Sequence, residues 1–210
     1  MRQRGFSMIE IVVTMVILGL LLSAALPSGV AWIRNMRIRS TAESIQSGLQ
    51  RARTEAVRRN TSVSFWLVST PSAATMDNSC ALASTGLSWV VSQDSPDGAC
   101  GAAPSTLASN PPRIVVTHAS TEGGGQSMAV TATQINTTSP ANGVTFNGLG
   151  RTLNTTPTGD PPLAKIDIQY ASANSDDRAL RIIVSSSGMI LLCDPAISSS
   201  SAPGYCPAPS

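Results

Sequence analysis

Close to its N-terminus the chain carries an apolar run, residues 6–33, in which the only ionisable side chain is that of Glu10. Residues 6–26 contain no helix breaker other than Gly19, and a helix of that length measures about 30 Å, the thickness of the hydrocarbon core of a bilayer. A stub, residues 1–5, precedes the run and carries Arg2 and Arg4. Positive charge is retained on the cytoplasmic side of a membrane. The sequence therefore predicts a transmembrane helix over residues 6–33, with the stub in the cytoplasm.

A cleavable secretory signal is the other interpretation of this run. Such a signal has an apolar core of about 7 to 15 residues, followed by small residues at the cleavage site. Residues 23–25 are Ser-Ala-Ala, but the apolar core before them is too long and contains an acid. We therefore expect the run to remain part of the protein.

Glu10 needs a positive partner, because an acid within a transmembrane segment costs about 3 kcal/mol and usually marks function. Cleavage after Gly5 would create an amine on Phe6, about one helical turn from Glu10. In a packed filament the amine of a neighbouring chain would serve equally well. A plain membrane anchor with a stray glutamate is the alternative.

Residues 4–10, Arg-Gly-Phe-Ser-Met-Ile-Glu, followed by a long apolar helix, resemble the class III leader of type IV pilins and type II secretion pseudopilins. The resemblance implies that residues 1–5 are a prepilin leader. It implies that a prepilin peptidase cuts between Gly5 and Phe6 and methylates the new amine of Phe6. It also implies that Glu10 docks the subunit into a filament.

A second helical segment follows the apolar run. Pro27 and Gly29 interrupt the run, and we expect the helix to kink or melt locally there. Apolar residues then recur in steps of three and four, which predicts an amphipathic helix over residues 34–60 with one face on a sheet. The residues of this stripe are Ile38, Ala42, Ile45, Leu49, Ala52 and Ala56.

The other faces of this helix hold seven of the 14 basic residues of the chain. Such a cluster is typical either of nucleic-acid binding or of a solvated helix face. Because charge normally covers the exposed side of an amphipathic helix, we interpret the arginines as a solvated face.

Four cysteines, all beyond the predicted span, indicate the compartment of the downstream domain. Basic residues on both sides of the span weaken the charge argument for orientation, but an even number of cysteines favours an oxidising compartment. Pairing Cys80 with Cys100 and Cys193 with Cys206 is the simplest of three connectivities, and each bridge would contribute about 3 kcal/mol. A four-thiolate zinc site is the alternative, although the chain lacks a C-x2-C pair.

From residue 61 onward, short β-branched runs alternate with clusters of Ser, Thr, Gly and Pro, which predicts one β domain over residues 61–197. The expected strands are 62–68, 87–92, 113–118, 128–133, 144–146, 164–170, 179–185 and 189–193. Residues 70–82 and 95–112 are expected to be long surface loops, and residues 198–210 a tail rich in Ser and Pro. The predicted fold class is α+β, a long N-terminal helix followed by a mainly antiparallel sheet domain.

No set of residues points to catalysis, a cofactor or a metal. His118 is the only histidine, and we interpret it as a surface or strand-end residue rather than the base of a hydrolase. The glycines at 123–125 lack a following helix and a Lys-Ser/Thr pair, which indicates a flexible turn rather than a phosphate loop. Asp176 and Asp177 beside Arg178 are interpreted as a charged turn, with a weak cation site left open. We expect no enzymatic activity.

The second half of the chain adds to the resemblance. Residues 143–151 (Gly-Val-Thr-Phe-Asn-Gly-Leu-Gly-Arg), 180–184 (Leu-Arg-Ile-Ile-Val) and 193–195 (Cys-Asp-Pro) are similar to the GspH/FimT group of minor pilins and pseudopilins. Members pack a spine helix on a small β-sandwich or sheet, and they sit at filament tips or prime assembly. The resemblance implies a minor pilin in the inner membrane, with its domain in the periplasm, that joins other pilins in a type IV pilus. A type II secretion pseudopilin and a DNA-binding pilin are the alternatives.

DNA is disfavoured as a partner. Some FimT-type pilins bind DNA through a C-terminal Gly-Arg-x-Arg pattern, but here Gly188 is followed by Met-Ile-Leu-Leu and Gly150 by a single arginine, Arg151. After residue 60 five basic residues face nine acids. This net negative charge repels a polyanion.

Overall fold

One long helix, α1 (Met8–Arg59), forms the spine of the molecule. The computed structural model describes residues 7–123 and 127–209, without the side chains of residues 22–28, 122 and 123. Ser7 precedes the helix with an extended backbone, and Asn60 ends it in a left-handed conformation, where its N–H bonds the carbonyl oxygens of Ala56 and Val57. Asparagine tolerates this conformation at helix ends better than most residues do.

The local melting expected at Pro27 and Gly29 does not occur, since the backbone is helical from residue 8 to residue 59. A proline inside a helix removes only one backbone hydrogen bond, so the bonds before and after it can carry the helix through. The apolar and amphipathic segments that the sequence separates therefore form a single helix.

The predicted stripe is confirmed. Its six residues, from Ile38 to Ala56, have no solvent-exposed surface. They pack with residues of both sheets in one core. The stripe contains no β-branched run and no proline, and its small alanines let the sheets approach closely.

The first sheet has five antiparallel strands: β1 (Val63–Ser69), β2 (Ala81–Leu82), β3 (Ser88–Ser92), β4 (Ile114–His118) and β6 (Gly143–Phe146). β1 lies at its centre and pairs with β3 on one side and with β2 and β6 on the other, and β4 pairs with β3. The second sheet has the order β5 (Met128–Gln134), β7 (Leu163–Tyr170), β8 (Leu180–Val184) and β9 (Ile190–Cys193), also antiparallel. A short 3-10 helix spans Ser120–Gly123.

Each of the eight predicted strands overlaps an observed one, and β2 is an addition inside a predicted loop. The alternation predicted for residues 164–170 is also confirmed, because Ile166 and Ile168 are fully buried while their neighbours are partly exposed. The α+β fold class is as predicted, with the helix packed on antiparallel sheets.

The first sheet is covered on both faces, which explains why β1 is buried along nearly all its length. One face meets α1, and the other carries a second apolar cluster of Trp66, Val68, Cys80, Val90, Cys100 and Ile114. Cys80 and Cys100 come from the two long loops, so this cluster lies under them. The loops therefore form a lid on the outer face of the sheet rather than free surface connections.

The strand predicted over residues 189–193 is the edge strand β9, which begins at Ile190. Met189 is exposed, and Ile190, Leu191 and Leu192 are half-buried. The reason is topological, since β9 pairs only with β8.

Candidate functional site

The N-terminal part of α1 is an apolar rod that extends beyond the domain. Within residues 8–21 the large apolar side chains are each about half or more exposed. Burial against the sheets begins only at Ile38. An apolar surface of this size is normally covered by another protein or by lipid.

Where their side chains are described, residues 7–123 and 127–209 contain no helix both long and apolar enough to cross a membrane. The predicted span, residues 6–33, includes Phe6 and the side chains of residues 22–28, which lie outside the described part. That span stays a prediction.

Glu10 lies on the exposed rod, in the first turn of α1. Its N–H bonds the carbonyl oxygen of Ser7 at 3.0 Å. Its carboxylate has no ion-pair partner among the described residues. The predicted cleavage and methylation residues, Gly5 and Phe6, lie outside the described residues. An acid in the first turn is favoured by the positive end of the helix dipole, and here it also remains free to meet a cation.

A part-buried ion pair fixes α1 to the domain just before the buried stripe begins. Arg34 Nε donates to Asp177 Oδ1 at 2.7 Å, and its Nη2 donates to Asp177 Oδ2 at 2.5 Å and to the carbonyl oxygen of Ser172 at 2.6 Å. The guanidinium carbon lies 3.7 Å from the ring centroid of Tyr170. The two charged side chains are only 15% and 4% exposed. We name this contact the Arg34–Asp177 clamp.

The clamp lowers the pKa of Asp177 below its ordinary value, because Arg34 and the backbone N–H of Asn174 donate hydrogen bonds to its ionised carboxylate. Asn35 reinforces the clamp from the next position on the helix. Its Nδ2 donates to the carbonyl oxygen of Asp176 at 3.0 Å, and its Oδ1 accepts from the N–H of Arg178 at 2.8 Å.

The clamp corrects two interpretations made from the sequence. Arg34 is not part of a solvated face, and Asp177 is more than one acid of a charged turn. The two residues are 143 positions apart, and no local pattern links them. The pairing is explained by desolvation, because either charge would be costly to remove from water without the other.

The C-terminal end of α1 holds a second polar cluster. Glu55 is buried and accepts from Arg58 at 2.7 Å and from Arg59 at 2.8 Å, and Arg51 lies 3.4 Å away. Arg58 and Arg59 lower the pKa of Glu55, with the hydrogen bond from Arg58 as the largest cause. A carboxylate buried beside three cations stays ionised.

Two turns of the domain meet the helix beside this cluster. Arg53 Nε donates to the carbonyl oxygen of Gly150 at 3.0 Å. Gly188, at φ +82°, packs so closely on Gly150 that a Cβ there would collide with the same carbonyl oxygen. Glycine is therefore required at position 188 both for its backbone conformation and for space.

The structure pairs Cys80 with Cys100 and Cys193 with Cys206 in disulfides. These are the nearest-neighbour pairs, the simplest connectivity expected from the sequence, and no cysteine is left to bind zinc. The first bridge joins the two loops of the lid. The second returns the tail to the end of β9.

The remaining candidate residues do not converge on a site. The imidazole of His118 stacks on Trp89 with 5.0 Å between ring centroids. Of the three glycines, Gly123 ends the 3-10 helix, and residues 124 and 125 lie outside the described part. Over the described ranges, no three His, Cys, Asp or Glu side chains are grouped so that they could hold a metal ion.

The fold and the exposed rod define a class of protein: a small β domain carried on a long helix whose N-terminal half exposes apolar side chains. Comparison with known families specifies the class. Residues 41–188 match the model of the family "Type II transport protein GspH", and residues 1–26 match the prokaryotic N-terminal methylation motif. The chain belongs to the GspH family of type IV pilins and pseudopilins. This is a family of structural subunits and not of enzymes.

Similar solved structures include two crystal forms of the type IV minor pilin FimU of Pseudomonas aeruginosa strain PAO1. In space group P21 the TM-score is 0.42 at 16% identity, over 76% of this chain and 92% of FimU. In space group P65 the TM-score is 0.40 at 16% identity, over 75% and 97%. No curated protein sequence matches the chain significantly.

Proposed function

We propose that this protein is a minor pilin that enters a type IV pilus through the apolar half of α1. It is made as a prepilin in the inner membrane, with its β domain in the periplasm. A prepilin peptidase cuts between Gly5 and Phe6 and methylates the amine of Phe6. The observation that carries the proposal is the rod at residues 8–21, whose apolar surface nothing in the described chain covers.

Assembly draws its free energy from transferring this surface out of lipid and into a bundle of pilin helices. Between helices in a membrane, close packing depends on small residues. A Cβ at Gly19 would meet nothing within 4 Å, so this position is open for a neighbouring helix to approach.

Glu10 supplies the register of this packing. A carboxylate moved into a helix bundle needs a cation, and a processed neighbour offers its N-terminal amine. Only one axial position of the neighbour brings its amine to Glu10, so the ion pair selects one register.

The experiment that tests the proposal compares Glu10→Ala with Glu43→Ala in the full-length chain. Glu43 is an acid on the same helix, but it pairs with Arg39 on the surface of the domain. We expect Glu10→Ala to lower the amount of the protein in sheared pili by about tenfold or more. Without the carboxylate, the buried amine of the neighbouring chain loses its counter-charge. We expect Glu43→Ala to leave it unchanged. Normal incorporation of Glu10→Ala would contradict the proposed role.

Processing is tested separately with Gly5→Ala. We expect this variant to keep the mass of residues 1–5, as measured by mass spectrometry of the membrane fraction. The wild-type chain should lack that mass and carry one methyl group on Phe6. A wild-type chain that still begins at Met1 would refute the processing step.

A pseudopilus of a type II secretion system is the second candidate, and the description of the matching family as a type II transport protein favours it. The two machines are distinguished by deleting the gene. Loss of surface pili with normal secretion supports the pilus, and the reverse result supports the pseudopilus. DNA is not proposed as a partner, because beyond residue 60 the acids outnumber the basic residues.

A further inference from the structure

An exposed apolar patch lies at the end of α1 that is farthest from the rod. Beyond residue 36, the exposed large apolar side chains of the described chain are Val57, Leu107, Ile135, Leu149 and Met189. Val57 lies beside the turn that carries Leu149, since a Cβ on the adjacent Gly150 would be 3.2 Å from Val57. Met189 directly follows Gly188, which packs on Gly150. Three of the five exposed apolar residues therefore belong to, or directly flank, the segments that meet at this contact.

Leu149 is 80% exposed although the turn that carries it is firmly built. The side-chain oxygen of Asn147 accepts from the N–H of Leu149 at 3.0 Å and from the N–H of Arg151 at 3.1 Å. Gly150 has φ +75° and donates to the carbonyl oxygen of Asn147 at 2.8 Å. Its own carbonyl oxygen is held by Arg53. A rigid turn presents this leucine at low entropic cost to a partner. We name Leu149 and Val57 the apolar knob.

The rim of the apolar knob is basic. Arg53 contacts the turn that carries Leu149, and Arg151 belongs to that turn, whereas Arg51, Arg58 and Arg59 lie around Glu55. Arg53 and Arg151 make no ion pair with any residue that the structure describes. A complementary surface must therefore combine an apolar pocket with carboxylates.

Lipid does not fit this position. Val57 lies 24 residues beyond the end of the predicted span, which is about 36 Å along the helix. Nucleic acid fits poorly as well, because it offers phosphates but no apolar pocket for Leu149.

A second copy of this chain is also a poor match. Its exposed apolar groove lies at the other end of the domain and is lined by Trp32, Met36 and Leu180 together with Arg39, Arg178 and Asp194. The groove is itself lined by two arginines and one aspartate, so its net positive charge would face the basic rim of the apolar knob. Like charges across an interface disfavour such pairing.

We propose that the apolar knob docks into an apolar pocket, rimmed by Asp or Glu side chains, on a different protein chain at the membrane-distal side of this subunit. Leu149 is the central contact, and Arg53 and Arg151 meet the carboxylates of the rim. The proposal applies equally to a pilus and to a pseudopilus. It rests on the proposed membrane span only in one respect, namely that the docking surface faces away from the membrane.

The test places a photo-crosslinking amino acid at position 149 of the full-length chain, in the cells that make it. Position 107 is the control, because Leu107 is 65% exposed but lies outside the patch. We expect light to produce one specific adduct from position 149 and none of that mass from position 107. Mass spectrometry should place the crosslink in a different protein, at a peptide containing apolar residues and at least one acid.

Every other result overturns the proposal: a crosslink to a second copy, to DNA or to lipid, a crosslink to a peptide without acids, or no crosslink from position 149. Incorporation into pili is measured in the same samples and depends on Glu10. A failure of this docking surface is thereby distinguished from a failure of the assembly function.

A second measurement places the crosslinker at position 57 and substitutes the neighbouring residues. Leu149→Asp should reduce the adduct by about tenfold or more, because a central apolar contact is replaced by a charge that must be desolvated. Arg151→Glu should reduce it by about threefold or more through repulsion from the acidic rim. Leu107→Asp should leave it unchanged. All three side chains are exposed, so we expect unchanged thermal midpoints, and an unaltered adduct from Leu149→Asp would refute the proposed contact.

Discussion

Replacing Gly188 with alanine should destabilise the domain far more than the same change at a comparable glycine. A Cβ at position 188 would collide with the carbonyl oxygen of Gly150, which is the acceptor of Arg53. The left-handed backbone, at φ +82°, costs a residue with a Cβ about 1 kcal/mol. Displacing the carbonyl oxygen strains the turn and breaks a charge-assisted hydrogen bond, for about 2 to 3 kcal/mol more. We expect a total loss of about 3 to 4 kcal/mol in the free energy of unfolding.

Gly159→Ala is the matched control. Its φ is +87°, and a Cβ there would meet nothing within 4 Å. It should therefore lose only the backbone part, about 1 kcal/mol. The measurement is chemical and thermal unfolding of the full-length chain in detergent, followed by near-UV circular dichroism. At about 2 to 4 °C per kcal/mol for a chain of this size, Gly188→Ala should melt roughly 4 to 12 °C below Gly159→Ala. Equal midpoints for the two variants would show that the contact between the turns contributes no stability.

Two further predictions concern the ion pair and the bridges. Asp177 has a lowered pKa, so its contribution to stability is complete above its ordinary pKa of 3.8 and is lost as the pH falls through the lower, folded value. Asp177→Asn should therefore reduce the free energy of unfolding at pH 7 but much less at pH 2. The control Asp176→Asn should leave the free energy of unfolding unchanged at both pH values. An equal loss from Asp177→Asn at pH 7 and pH 2 would refute the assigned role of the ion pair. Replacing Cys80 and Cys100 with alanine should lower stability by about 3 kcal/mol and shift tryptophan fluorescence to the red, because their bridge lies in the cluster around Trp66. Replacing Cys193 and Cys206 should leave that emission unchanged, and a red shift in both variants would count against the assignment.

The spine helix and the strands were predictable because their signals are local. The stripe from Ile38 to Ala56 follows the period of a helix, and all six residues are buried. Alternation at Ile166 and Ile168 similarly identified β7. β2 was missed because two residues are too few to show a period.

The polar contacts that orient the helix were not predictable, since each joins residues far apart in the chain. Arg34 and Arg53 resemble the other arginines of the helix in sequence. Arg34 nonetheless forms an ion pair with Asp177, and Arg53 donates a hydrogen bond to Gly150. The apolar knob was missed for a related reason, because Leu149 shows no sequence signal of its exposure. Glu10 is different, since an acid in an apolar run is visible in the sequence itself.

Because α1 runs without a break from Met8 to Arg59, a mechanical load on its N-terminal half reaches the domain through one continuous helix. The first attachment that feels this load is the Arg34–Asp177 clamp, and the buried stripe beyond it extends for roughly 27 Å parallel to the pull. Contacts arranged in that direction are sheared together rather than peeled one after another. The domain should therefore resist a force along the helix axis far better than a force applied perpendicular to it at residues 198–210.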